Sequence, residues 1–87
     1  MTAPAVTMYA TGWCPYCSRA RSLLERKGVK VQEIDIERAP EKRTEMQARS
    51  GRRSVPQIFI GDQHVGGCDD LHALEEAGKL DALLAGR

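Results

Sequence analysis

The sequence predicts a single α/β domain with the element order β-α-β-α-β-β-α. Short runs rich in β-branched and aromatic residues alternate with longer runs whose apolar residues recur at helical spacing. A length of 87 residues leaves room for one hydrophobic core, so we assign residues 1–87 to one domain. Hydrophobic residues make up 41% of the chain and charged residues 29%, as is typical of globular proteins.

The first strand and helix surround a pair of cysteines. Residues 6–9 are β-prone and are expected to form a buried strand. Pro15 suits the first turn of a helix, where its missing N–H has no partner to lose. Cys14 is therefore expected at the N-cap and Cys17 one turn inside the helix. Gly28 is expected to end it.

The second strand and helix carry weaker signals. Residues 29–36 alternate apolar and polar positions, but the phase slips near Glu33, which suggests a break or bulge in the strand. Pro40 opens a second helix that is expected to run to about Ser50 and to end at Gly51. Its apolar content is low, so we expect it to pack at the margin of the core.

The last third of the chain predicts a hairpin followed by a helix. Residues 55–60 form the strongest strand, and Gly61 and Asp62 connect it to a short partner strand at residues 63–65. A helix begins at Cys68 or Asp69 and breaks at Gly78. Residues 80–84 add a final amphipathic turn or two.

Charge and chain ends exclude some classes of function. The chain has 13 Lys and Arg against 12 Asp and Glu, and a net charge of +1 gives no basic field for nucleic acid. Residues 1–5 lack the pattern of a signal peptide, and no run approaches the roughly 20 apolar residues of a membrane span. We expect a cytoplasmic protein with neither nucleic acid nor a membrane as partner.

The cysteine pair has the spacing of a redox or a metal site. Three cysteines, an odd number, do not form the paired framework of a small secreted scaffold. A helix N-terminus stabilises a thiolate, so Cys14 is expected to be the nucleophile. Cys17 lies inside the first turn and is expected to attack a disulfide already formed on Cys14.

A zinc site is the alternative use of such a pair. It needs two further soft ligands, and the remaining candidates are Cys68, His64 and His72. None of these forms a second Cys-x-x-Cys or a closely spaced His pair. We therefore expect no metal site.

Three motifs in order resemble the short bacterial dithiol glutaredoxins: Cys14-Pro15-Tyr16-Cys17, then Ser54-Val55-Pro56, then Gly66-Gly67-Cys68-Asp69-Asp70. The resemblance covers nearly the whole chain. It implies a thioredoxin-like fold, in which a central four-stranded mixed sheet is flanked by helices. It also implies a glutathione-dependent thiol–disulfide oxidoreductase that reduces protein disulfides and glutathione mixed disulfides.

The resemblance also assigns roles to residues of the ligand site. Tyr16 would flank the glutathione sulfur, and the backbone of Val55, before a cis Pro56, would pair with the ligand's cysteine residue. Asp69 and Asp70, with the N–H groups that open their helix, would hold the γ-glutamyl end.

The chain departs from the family where a cation is usual. Many glutaredoxins have a Lys three residues before the nucleophile, and Thr11 stands there in this chain. Arg43, in the second helix, becomes the first candidate for the glycine carboxylate of glutathione. Arg52 and Arg53 are held in reserve.

Glutathione is thus the expected partner and reductant, with no tightly bound cofactor. Disulfide-bonded or glutathionylated proteins are the expected substrates, ribonucleotide reductase among the candidates, and the protein is expected to be a monomer. Two alternatives stay open. One is a redoxin recharged by thioredoxin reductase, and the other is a module that binds a 2Fe–2S cluster through Cys14 and glutathione.

Overall fold

The computed structural model describes residues 3–86. Met1 and Thr2, which belong to the segment 1–5 where no signal peptide is expected, lie outside the described residues. The elements are β1 (Val6–Ala10), α1 (Pro15–Arg26), β2 (Val31–Asp35), α2 (Pro40–Ser50), β3 (Gln57–Ile60), β4 (Gln63–Gly66), α3 (Cys68–Glu76) and α4 (Leu80–Leu84). Between residues 3 and 86 no helix is long and apolar enough to cross a membrane.

The strands form one mixed sheet in the order β2-β1-β3-β4. β1 is parallel to β2 and antiparallel to β3, which in turn is antiparallel to β4. The predicted four-stranded mixed sheet is thus confirmed. Because β3 runs opposite to both neighbours, β1 and β4 end at the edge of the sheet where β3 begins. The segments 11–14, 54–56 and 66–70 therefore meet at that edge.

The larger core lies between the sheet and the helices α1, α3 and α4. Side chains alternate across a strand, so Val6, Met8 and Ala10 of β1 all point to this side. Helix α1 contributes its apolar stripe, and the buried members of this stripe are Cys17, Ala20, Leu23 and Leu24. The predicted helical spacing from Cys17 is confirmed.

Helix α2 covers the other face of the sheet, where a smaller core forms. This second cluster consists of Tyr9, Ile36, Met46 and Phe59, each almost completely buried. The expectation that α2 packs at the margin of the core is wrong in this respect. Its single long apolar side chain, Met46, is fully buried because the aromatic rings of two strands surround it.

The bulge expected near Glu33 is also wrong. β2 pairs with β1 in an unbroken register from Val31 to Asp35, with Glu33 opposite Met8. Glu33 is tolerated because its carboxylate is exposed and accepts two hydrogen bonds from Arg21 of α1, at 2.6 and 2.9 Å. The irregularity lies instead in the β3–β4 pair, between Ile58 and Phe59.

Candidate active site

Cys14 is the N-cap of α1, as the sequence predicts. Its backbone is extended, with φ −145° and ψ 108°, and Pro15 follows in the first turn. The sulfur accepts a hydrogen bond from the backbone N–H of Cys17 over 3.2 Å. Cys14 is partly exposed, so a disulfide in solution can reach it. An N–H directed at the sulfur stabilises the thiolate form that attacks disulfides.

Cys17 differs from Cys14 in its surroundings. It is fully buried beneath α1, and both cysteines are free thiols. Burial, followed by a hydrogen bond with Cys14, raises the pKa of Cys17 to about 12. The two thiols are thus close together but unequal: Cys14 is accessible, whereas Cys17 is buried and protonated near neutral pH.

A cleft of about 230 Å³ lies beside Cys14 at the edge where the three segments meet. The peptide bond between Val55 and Pro56 is cis, and the Val55 carbonyl oxygen lies 4.0 Å from the Cys14 sulfur. The cleft is lined by Tyr16, Arg52, Ser54, Val55, Pro56, Gly67, Cys68, Asp69 and Asp70. Within residues 3–86 no group of three His, Cys, Asp or Glu side chains could hold a metal ion.

The far wall of the cleft is the N-terminus of α3. The Asp70 carboxylate accepts a hydrogen bond from the Gly67 N–H and another from Arg52, each over 2.9 Å. These two contacts, the backbone one first, lower the pKa of Asp70. Gly66 has φ +118°, and a Cβ added there would lie 2.7 Å from the Asp70 Cγ. The position of Asp70 therefore depends on a glycine at position 66.

The model of the glutaredoxin family matches residues 6–65. The chain belongs to the glutaredoxin family. It is 62% identical over 82 residues to a glutaredoxin of Pseudomonas aeruginosa, a match that covers 94% of this chain and 98% of the relative. Glutaredoxins are thiol–disulfide oxidoreductases that draw electrons from glutathione, and the chain is accordingly a glutathione-dependent thiol–disulfide oxidoreductase.

Solved glutaredoxin structures share the fold. The solution structure of a glutaredoxin from Brucella melitensis superposes with a TM-score of 0.86 at 57% identity, covering 100% of this chain and 96% of that one. The crystal structure of a buckwheat glutaredoxin–glutathione complex gives a TM-score of 0.88 at 29% identity, covering 95% and 78%. The fold is thioredoxin-like.

Most of the site residues expected from the glutaredoxin motifs lie together. Five line the cleft: Tyr16, Val55, Pro56, Asp69 and Asp70. Arg43 is exposed on α2 and is not one of the lining residues. Arg52, which the sequence analysis held in reserve, is the arginine that lines the cleft. The ion pair with Asp70 places it there, and the sequence gives no signal of that pairing.

Two further residues of this glutaredoxin border the site. Cys68 lines the cleft and is buried, and burial raises the pKa of its thiol. Its sulfur lies 3.5 Å from His72 Nδ1, a contact between consecutive turns of α3. Gln57 is completely buried, and its amide donates a hydrogen bond to the carbonyl of Ser54, another lining residue. Gln57 is not among the site residues predicted from the sequence, although a polar side chain inside the most apolar strand is a visible signal.

Proposed function

We propose that this glutaredoxin uses Cys14 as its nucleophile and Cys17 as its resolving thiol, and holds glutathione in the cleft beside them. One observation carries the proposal. The accessible sulfur of Cys14 lies 4.0 Å from the carbonyl oxygen of Val55, which lines a cleft whose other wall is the N-terminus of α3. These walls suit a short peptide that carries an ammonium group and a carboxylate at one end.

The first reaction removes glutathione from a glutathionylated protein and needs Cys14 alone. The Cys14 thiolate attacks the sulfur of the glutathionyl group, the S–S bond to the protein breaks, and the protein thiolate leaves and takes up a proton. A second glutathione thiolate then attacks the Cys14–glutathione disulfide. Oxidised glutathione leaves, and the Cys14 thiolate is restored.

The second reaction reduces a protein disulfide and needs both cysteines. Cys14 attacks one sulfur, so a mixed disulfide forms and the other protein sulfur leaves as a thiolate. Cys17 then attacks the Cys14 sulfur, its proton going to the second departing thiolate. The product is a Cys14–Cys17 disulfide, which two glutathione molecules reduce. The high pKa of Cys17 supports this order, because a protonated thiol does not compete for the first attack.

Glutathione contacts follow from the lining of the cleft. We assign the γ-glutamyl carboxylate to the N–H groups that open α3, and the ammonium to the exposed carboxylate of Asp69. The Val55 backbone pairs with the cysteine residue of the tripeptide, and Tyr16 covers its sulfur. Asp70 acts from behind, since its carboxylate holds Gly67 and Arg52 in place.

The glycine carboxylate of glutathione needs a cation. Arg43 is the candidate by its position in α2. Arg52 lines the cleft, but its ion pair with Asp70 holds its guanidinium at the N-terminus of α3, the end assigned to the γ-glutamyl group. We therefore propose Arg52 for the γ-glutamyl carboxylate and keep Arg43 for the glycine carboxylate. Thr11 cannot supply the charge that a lysine provides at that position in many glutaredoxins.

We further propose that the protein acts as a cytoplasmic monomer without a tightly bound cofactor. Its protein substrates are disulfide-bonded or glutathionylated proteins, with ribonucleotide reductase one candidate. The family resemblance supports these assignments, and the partly exposed Cys14 supports disulfide-bearing proteins as substrates.

The division of roles is tested with wild type, Cys14→Ser and Cys17→Ser. Each is assayed for glutathione-dependent reduction of a glutathionylated peptide and for reduction of a protein disulfide. We expect Cys14→Ser to lose both activities. Cys17→Ser should keep the first within about twofold and lose the second, because only the second needs a resolving thiol.

Two outcomes contradict the proposal. If folded Cys17→Ser loses both activities, the assignment of the two thiols is wrong. If wild type turns over with thioredoxin reductase but not with glutathione, the cleft does not serve glutathione.

A further inference from the structure

Gln57 is unusual because it is a polar side chain in the middle of the core. It has no exposed surface, and it is the only buried polar or charged residue between residues 3 and 86. Its neighbours in β3 are apolar, and it pairs across the sheet with Tyr9. A buried amide is costly unless its hydrogen bonds are made, so its partners show what it does.

The partners of Gln57 connect the cleft wall with the edge strand β4. The amide nitrogen donates to the carbonyl oxygen of Ser54 over 3.0 Å and lies 3.3 Å from the Ser54 hydroxyl. The amide oxygen lies 2.8 Å from Nε2 of His64. With the amide nitrogen directed at Ser54, the oxygen must accept, and Nε2 of His64 therefore carries the hydrogen.

His64 is a firm anchor for this chain of hydrogen bonds. It lies on β4 opposite Phe59, and the two rings are 4.9 Å apart with a tilt of 34°. Burial lowers the pKa of His64, so near neutral pH the ring is uncharged and the Nε2–H that faces Gln57 is its only N–H. The sheet thus fixes His64, His64 fixes Gln57, and Gln57 fixes the backbone at Ser54.

Ser54 is the start of the wall that faces Cys14. Ser54 and Val55 line the cleft, and the Val55 carbonyl oxygen lies 4.0 Å from the Cys14 sulfur. A movement of the Ser54 carbonyl would carry the Val55 backbone with it, because consecutive peptide planes share a Cα. We propose that Gln57, anchored by His64, is a positioning residue that sets this wall at the correct distance from Cys14.

The inference rests on the proposed function, since the wall matters only if glutathione binds against it. A wall of this kind contacts the glutathionyl group both before and during sulfur exchange. Its displacement should therefore raise KM and leave kcat unchanged, which a general loss of stability would not do.

Gln57→Glu is the direct test, with a glutathionylated peptide as substrate at fixed glutathione concentration. Glutamate keeps the size of the side chain and an acceptor for His64, but an ionised carboxylate cannot donate to the Ser54 carbonyl. We expect KM for the peptide to rise about tenfold with kcat unchanged. Met46→Leu is the control: Met46 is equally buried on the same face but has no hydrogen bond to the wall.

A pair of His64 variants tests the anchor even if Gln57→Glu fails to fold. His64 is only half-buried, so its replacement is better tolerated. His64→Leu removes the donor to Gln57, whereas His64→Gln retains an N–H donor. We expect KM to rise about threefold in the first and to stay near wild type in the second.

The outcomes separate the inference from the proposed function. If wild type shows no saturable, glutathione-dependent reduction of the peptide, the proposed function fails. If wild type saturates but Gln57→Glu keeps its KM, or the two His64 variants behave alike, the positioning role of Gln57 is overturned. An equal rise of KM in Met46→Leu would also overturn it.

Discussion

Replacing Gly66 by alanine tests whether the cleft depends on the space that glycine leaves for Asp70. A Cβ at position 66 would lie 2.7 Å from Cγ and 3.0 Å from Cβ of Asp70. Both atoms are close to the backbone of α3, so the carboxylate must leave its place. The hydrogen bonds from Gly67 and Arg52 to that carboxylate are then lost.

The expected cost of Gly66→Ala has two parts. An alanine forced to φ +118° costs about 1–3 kcal/mol in backbone strain. Loss of the carboxylate that caps α3 costs about 1 kcal/mol. The ion pair with Arg52 adds little, because both side chains are nearly half exposed, at 48% and 45%. We expect a total of about 2–4 kcal/mol, against a typical domain stability of about 5–15 kcal/mol.

Urea unfolding of the reduced protein, followed by circular dichroism, measures this loss. The informative comparison is a double-mutant cycle with Asp70→Ala, which removes the carboxylate and leaves only the Cβ of residue 70, at 3.0 Å, near the new methyl group. Gly66→Ala should cost about 1 kcal/mol less in the Asp70→Ala background than in wild type, because the cap has already been lost there. Equal costs in the two backgrounds would show that Asp70 does not fill this space. If Gly66→Ala lowers the unfolding free energy by less than about 0.5 kcal/mol in the otherwise wild-type protein, the expected backbone strain at position 66 is refuted as well.

Two other predictions concern the thiols and the protein surface. Because the pKa of Cys17 is about 12 in the folded protein and about 8.5 in an unfolded chain, only the unfolded chain releases this proton between those values. The unfolding free energy of the reduced protein should therefore fall as pH rises through this range, and more steeply in wild type than in Cys17→Ser; parallel curves in urea titrations would contradict the burial of Cys17. Trp13 is 89% exposed directly before Cys14, so it is placed to contact a protein substrate. Trp13→Ala should slow reduction of a glutathionylated protein about fivefold and leave a glutathionylated cysteine substrate unaffected; equal slowing of both would exclude this role.

Local signals in the sequence predict much of the fold. Pro40 and Gly51 bound α2 as predicted, and Gly51 adopts the left-handed conformation, with φ +71°, that favours glycine at a helix end. Pro15 likewise places Cys14 at the N-cap of α1. In each case the deciding physics lies within a few residues: a proline without an N–H, or a glycine without a Cβ.

Features that depend on distant partners are not visible in the sequence. The alternation of β2 slips at Glu33 because this exposed position pairs with Arg21, which a strand pattern does not contain. The contribution of α2 to the core depends on Met46, which packs with aromatic rings of β1 and β3. Arg52 is held in the cleft by an ion pair with a residue 18 positions away along the chain. Arg43, in contrast, was predicted only from its position in α2.

The sequence predicts the residues that line the site but not the residues that hold those lining residues in position. The cysteine pair and the motifs at Val55 and Asp69 identify which residues line the cleft. The residues behind them were missed, because Gln57 has one partner three positions away and the other on a neighbouring strand. His64 reaches Gln57 only through the register in which β3 and β4 pair.

The antiparallel arrangement of β3 places the cysteine pair and the cleft at one end of the molecule. Chain reversals at Gly28, at Gly61 with Asp62, and at Gly78 follow or connect elements at the edge of the sheet away from Cys14. The turn at Gly61 and Asp62 is exposed. For protein engineering, this turn is the natural point for inserting a fluorescent reporter or an affinity tag, because the insertion leaves the approach of a disulfide to the sulfur unobstructed.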